Sequence, residues 1–306
     1  MKGELEPDRN PDIAVNSNVR SSANIIVREI GGPAEMRAVE DLQKDVWGIP
    51  DLDVVPLTQL VAAKAAGGVL LGAFDADKLA GFAFGFVGLE NGHATHHSHM
   101  LAVRPEYRNY NLGGRLKFAQ REFVLAQGID EMTWTFDPLQ SLNAYFNFER
   151  LGVISKCYLT DFYGADPASF LHQTGTDRLW VKWQLRDVRV QDRASRLDRP
   201  APPPQPDTAI KLVEFGRSGE PVINDIRPDK KSNHVTIEIP GDINSLSRHD
   251  NAMAKRWREA TRNAFSEYIA AGFVVVGFVR GQSAGKYILE RNISHLELAK
   301  FGLVDI

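Results

Sequence analysis

The spacing of apolar residues changes from segment to segment, and the changes lay out the elements. Residues 25–30 alternate as a short strand. Pro33 then opens a helical pattern through Met36, Val39, Leu42, Val46 and Trp47, which Gly48 stops. A second helix is predicted over 56–66, through Leu57, Leu60, Val61 and Ala65. Residues 69–74 and 79–87 read as a hairpin turning at 75–78. Glu90, Asn91 and Gly92 turn the chain into a further strand that ends at Val103. Leu112, Leu116, Ala119 and Phe123 return to helical spacing until Gly128, and 131–136 reads as a strand broken by Asp137-Pro138. A helix is predicted over 141–151, with Leu142, Tyr145, Phe146 and Phe148 as its apolar surface and Gly152 as its end. Strands over 153–163 and 178–185 complete this part.

Residues 186–208 carry mixed charges and then a proline-rich run, a composition that favours extended geometry and builds no core. Beyond this linker, Val235, Ile237 and Ile239 alternate as a strand. Met253, Trp257, Ala260, Ala264 and Tyr268 share one face of a long helix ended by Gly272, and strands are predicted over 273–279 and 286–289. The expected organisation is a polar, flexible tail over 1–24, a domain over 25–185, the linker, and a small α+β domain over 209–306.

With 306 residues and 43% hydrophobic content the chain can bury a real core. Its 36 lysines and arginines against 39 aspartates and glutamates leave a net charge of −3, so no global field draws it to nucleic acid or an anionic membrane; neither is expected as a partner. One cysteine, Cys157, excludes an internal disulfide and a multi-cysteine metal site, and packing is its expected role. No apolar signal core occupies residues 1–25 and no segment reaches the ~20 apolar residues of a membrane span, so a cytoplasmic protein is expected.

The organising stretch is 97–116. An apolar strand ends at Val103, Pro105 forbids a ladder hydrogen bond, and an Asn/Gly-rich turn enters the next helix. Such a turn points unpaired N–H groups at one spot, at the positive end of a helix dipole, where a phosphate or pyrophosphate fits.

This stretch resembles the acyl-CoA-binding core of the GNAT N-acyltransferase superfamily, V-x-P-x-x-R-G-x-G-x-G/A, through Val103, Pro105, Arg108, Gly113 and Gly114, with Asn109 and Asn111 where the family has glycines. The order of elements over 25–185 is also that of the family. The resemblance implies an α/β (α+β) fold with a central mixed, mostly antiparallel sheet flanked by helices. The helix–strand–strand ending after Tyr268 looks like a partial second copy, with a plain α+β domain as the other reading. Residues 137–147, the proline linker and the second domain resemble GNAT proteins associated with N-succinylation of amino acids.

The implied activity is direct transfer of an acetyl or succinyl group from CoA to the amine of a small molecule such as an amino acid. Acetyl-CoA or succinyl-CoA is the acyl donor, no metal is needed, and a homodimer is compatible. The implied cofactor contacts are Leu101, Ala102 and Val103 along the strand, Arg108, Asn109, Tyr110, Asn111, Leu112, Gly113 and Gly114 in the turn, and Asn143 and Phe148 on the later helix. Family members place a proton-donating tyrosine four residues before the glycine that follows this helix. Here that position is Phe148, which has no proton to give, so Tyr145, one turn earlier, is the candidate donor.

For the base the candidates are His93, His96, His97 and His99, with His97 and His99 on one face of the strand and His96 on the other. Asp137 has two readings, a seat for the acceptor's ammonium or a turn aspartate before Pro138. The alternative function is a catalytically weak acyl-CoA-binding, regulatory or partner-binding protein.

Overall fold

The computed structural model describes residues 24–164, 175–196, 209–224 and 233–291. The tail expected over 1–24 lies almost wholly outside them, as does the proline-rich half of the linker. The architecture is mixed α+β, an open sheet flanked by helices.

Strand β1 (Ile25–Glu29) leads to α1 (Gly32–Trp47), where Pro33 occupies the first turn and Gly48, at φ 62°, closes the helix by donating its N–H to the Lys44 carbonyl. Helix α2 (Leu57–Ala65) is followed by β2 (Val69–Asp75), β3 (Lys78–Glu90) and β4 (His93–Val103). The β3–β4 turn has Asn91 at φ 50° and Gly92 at φ 79°, the left-handed pair that a two-residue hairpin of this hand requires.

A 3₁₀ turn (Pro105–Tyr110) then enters α3 (Leu112–Ala126), so most of the predicted loop is helical. After β5 (Glu131–Phe136), the helix predicted over 141–151 is α only in α4 (Ser141–Tyr145). It continues as a π turn (Phe146–Leu151), with Gly152 N–H reaching the Asn147 carbonyl. The wider turn sends Asn147, Phe148 and Leu151 into the core together.

Strands β6 (Ile154–Leu159) and β7 (Arg178–Gln184) follow. The charged start of the predicted linker is helix α5 (Val188–Ser195), capped by Asp187 and anchored by the fully buried Val190. The second half comprises β8 (Ile210–Phe215), β9 (Pro221–Ile223), β10 (His234–Pro240), α6 (Ile243–His249), α7 (Asn251–Ala270), β11 (Val274–Arg280) and β12 (Ala284–Glu290).

All the strands among the described residues join one sheet in the order β1-β2-β3-β4-β5-β7-β6-β11-β12-β10-β8-β9. Helices α1 and α2 cover one face through Met36, Val39, Leu42 and Leu60, against Leu70, Phe82, Phe84 and Ala102. Helix α3 covers the other face through Leu112, Leu116 and Val124, beside Leu71, Ala73 and Ala83. The order is mirrored about β6/β11, which meet antiparallel at Ser155 and Val275. Outward on one side lie β7, β5 and β4, and on the other β12, β10 and β8. In both directions the last pair is parallel and the two before it antiparallel.

Aromatic rings and charges close the seam. Tyr158 stacks on Phe265 at 5.4 Å, and Tyr287 packs edge-on against Phe148 at 5.8 Å. The Asp177 carboxylate accepts a fork from Arg262 (2.9 and 2.7 Å) and a bond from the Tyr158 hydroxyl (2.6 Å). Arg258 pairs with Asp137 at 2.8 Å, with side chains only 4% and 14% exposed.

Breaking that pair strands a buried charge. Arg258→Met is expected to lower stability in urea unfolding by about 3–5 kcal/mol, and adding Asp137→Asn should recover part of the loss.

Candidate active site

Strands β4 and β5 pair only at His96–Met132 and His97–Thr133 and then part. Beyond that point Met100 to Val103 pair with β3 alone and Trp134 to Phe136 with β7 alone. A wedge therefore opens between two parallel strands. Arg104 N–H donates to the Ala80 carbonyl at 2.9 Å, opposite it in the ladder. Hydrogen-bonded positions alternate along an antiparallel ladder, so Met100 and Ala102 face β3, and the N–H and C=O of Leu101 and Val103 point into the wedge.

At the mouth of the wedge stands the start of α3. Asn111 adopts φ 53°, the left-handed conformation that asparagine tolerates, and its carbonyl receives the first helical bond, from Arg115 N–H at 3.1 Å. The N–H groups of Leu112, Gly113 and Gly114 precede that bond and are left for an anion. Arg108 and Asn109 are exposed beside them, and Tyr110 packs on Tyr107 with ring centroids 5.9 Å apart. A Cβ on Gly113 would make ordinary contact with Phe146 (3.6 Å) and Leu101 (3.9 Å), which places the π turn, the wedge and the α3 terminus side by side.

The other expected site residues divide. Tyr145 is half-buried, packed against the core, and its hydroxyl makes no hydrogen bond among the described residues. Asn143 is exposed on the same helix. Phe148 corrects its expected cofactor contact: it is 0% exposed, between Phe136 and Tyr287. Asp137 corrects the ammonium seat, because Arg258 takes its carboxylate and its Oδ1 also accepts Leu139 N–H at 2.9 Å, a turn role.

His97 and His99 share a face, and His96 lies on the opposite one. The His97 Nδ1 is 3.1 Å from the Thr133 hydroxyl, and its ring packs 5.1 Å from Trp180 and 5.5 Å from Phe86. Desolvation, with the neighbouring His99 and Lys117 charges, pushes its pKa down to about 4; His99, against Phe84 and Phe86, is lowered by the same desolvation. Both imidazoles are therefore neutral at physiological pH, weaker bases than a free histidine.

Sequence reasoning missed what lies behind the strand. The Lys117 amine is wholly buried. It donates to the Ser98 hydroxyl (2.8 Å), lies 3.4 Å from Gln120 Oε1, and stands 3.6 Å from the centre of the Trp134 ring. Ser98 in turn donates to Gln120 Oε1 at 2.9 Å. These bonds hold the irregularity where β4 shifts register against β3 between Phe84 and Phe86. Gly85 faces it, and a Cβ there would run into the His96 ring and the His97 carbonyl. A lysine at helical spacing gave no sign of burial. Desolvation drives its pKa well below the ordinary lysine range, and pushes His96 from 6.5 down to about 4.

Among the described residues no group of three or more potential metal ligands occurs, and no helix is long and apolar enough to cross a membrane. No family model and no curated protein matches the chain. Solved structures do. An acetyltransferase from Elizabethkingia anophelis with acetyl-CoA bound aligns with 53% of this chain and 98% of its own, at 14% identity and TM-score 0.40. The ribosomal-protein-S18-alanine N-acetyltransferase of Escherichia coli aligns with 54% and 96%, at 13% and 0.43. The aminoglycoside 6'-N-acetyltransferase of Enterococcus faecium aligns with 53% and 98%, at 18% and 0.41. Over about half its length the chain is similar to GNAT-family acetyltransferases. The GNAT likeness concerns the arrangement of elements, and the roles of individual residues rest on the geometry above.

Because His96 is neutral in the fold and ionises more readily once unfolded, acid favours unfolding between its two pKa values. Stability should be level above about pH 7, fall by up to ~3 kcal/mol from this residue as pH drops from 6.5 toward about 4, and level off below. Denaturant titrations at stepped pH check this, and His96→Gln should flatten the slope.

Proposed function

We propose that the chain is an acyl-CoA-dependent N-acyltransferase. The observation that carries this is the wedge between β4 and β5, with the unpaired backbone of Leu101 and Val103 along one wall and the free N–H groups of Leu112 to Gly114 at its mouth. An extended thioester with a pyrophosphate at one end fits that combination: its amides add to the bare strand edge, and its phosphates meet the helix terminus. The donor is acetyl-CoA or succinyl-CoA and the acceptor a small amine such as an amino acid. The work is done in the cytoplasm by the first part of the chain, 25–185.

In the reaction the amine nitrogen, as the free base, bonds to the thioester carbon, and the carbonyl oxygen gains charge beside the β4 N–H groups. The C–S bond then breaks, the nitrogen loses its proton, and the thiolate takes one. His97 and His99, neutral and close to the parting point, accept a hydrogen bond from the amine and relay its proton. Tyr145 supplies the proton for sulfur. The second part, 209–306, is read as a partial repeat that supports the β5–α4 turn through Arg258, through Tyr287, which donates to the Pro138 carbonyl at 2.7 Å, and through Asn244, paired with Gln140 at 3.0 Å. Phe148 in place of a tyrosine favours the alternative, acyl-CoA binding with weak or no turnover.

Acetyl-CoA or succinyl-CoA should raise the melting temperature, and Gly113→Glu, which puts a carboxylate at the anion position, should abolish the rise. No rise with either ester would overturn the acyltransferase reading. Tyr145→Phe should lower kcat about 10–100-fold with little change in KM for the ester; an unaltered kcat removes Tyr145 from the mechanism.

A further inference from the structure

On the sheet face that carries α1 and α2, where β4 and β5 part, the side chains include a row of aromatic rings. Residues directly opposite across paired strands share a face. Phe86 stands opposite His97, His97 beside Thr133, Thr133 opposite Lys182, and Thr135 opposite Trp180. Phe84 and Phe86 lie 6.1 Å apart, Phe86 and His99 5.7 Å, and His97 and His99 6.4 Å, and Trp180 closes the row at 5.1 Å from His97.

The rings are tilted against one another by 35° to 82°, and while Phe84 is buried beneath the row, Phe86, His97, His99 and Trp180 each keep some exposed surface. Phe86 and His99 are exposed, and the Trp180 indole N–H, although buried, has no hydrogen-bond partner among the described residues. A histidine row built only to move protons needs no phenylalanine and tryptophan along its flanks. Uncharged imidazoles also present π faces and lone pairs without repelling a cation.

We propose that the acceptor is a primary amine whose carrier bears an aromatic ring, and that Phe86, His97, His99 and Trp180 form the bed on which that ring lies. This rests on the acyltransferase reading and narrows it. The ring stacks on the bed and the amine reaches the parting point of β4 and β5, next to the imidazole nitrogens. A carboxylate on the same molecule is neither required nor excluded by the bed, so the test carries both arms.

The experiment measures thiol release from acetyl-CoA and succinyl-CoA with four amines: phenethylamine and phenylalanine as aromatic probes, propylamine and alanine as their aliphatic counterparts. Thermal-shift titrations of the CoA-loaded protein with the same four amines run beside it. The proposal expects kcat/KM at least tenfold higher for the aromatic member of each pair, carried mainly by KM. Trp180→Leu should shrink the aromatic-to-aliphatic ratio severalfold, and because the ratio is taken within one variant, a general loss of activity or folding cancels.

Equal kcat/KM within both pairs overturns the proposal and leaves the acyltransferase reading standing. If no amine turns over, the titrations decide: a shift by the aromatic amines alone supports the bed, and a shift by none or by all overturns it. Failure of the CoA esters to bind is a different result, seen before any amine is added.

Discussion

A pair of parallel strands that separates leaves backbone donors and acceptors without partners, and the rest of this structure is arranged around keeping β4 and β5 apart. Strand β4 stays extended because β3 holds its other side. Its register shift is pinned from behind by Ser98, Gln120 and the buried Lys117 amine, which are hydrogen-bonded to one another rather than to water. Such a network is stable only when every member finds a partner, and burial disfavours the charged form of the lysine. The cluster therefore fixes the shape of the strand on one face and leaves the histidines of the other face free to meet a ligand.

Strand β5 is kept in place from the other direction. Its carboxyl end runs into the turn at Asp137 and Pro138, which the second half of the chain holds by an ion pair, a hydroxyl and an amide. The two walls of the wedge thus have different supports, one inside the first half and one across the seam. Across the seam the second half meets the first through aromatic packing and ion pairs, of which Arg258 with Asp137 is the buried one.

The apolar periodicity made most elements of the first half legible, down to the closing role of Gly48 and the turn at Asn91 and Gly92. The Asn/Gly-rich turn before α3 raised the expectation of an anion seat there on chemical grounds alone. What the periodicity could not supply was register. That β4 and β5 pair at only two positions is a property of two strands far apart in the chain, and no local pattern encodes it. Helix α5 was hidden because a single buried residue, Val190, anchors it among charged neighbours. Asp137 stayed ambiguous because its partner, Arg258, sits on a helix face that reads as solvated charge until the halves are brought together. Phe148 misled for the opposite reason: its spacing from Gly152 is that of a site residue, and the π turn rotates it inward.

The mirrored strand order has one more consequence, which concerns association rather than catalysis. In a sheet that stopped at β6, that strand would offer a row of open backbone groups to any chain able to add to it. Here β11 occupies the position, and among the described residues the sheet ends instead on β1 and β9, of five and three residues. Of these two ends, β9 is the short one, with three residues to offer a second molecule. At the β6 edge the chain carries its own lateral neighbour.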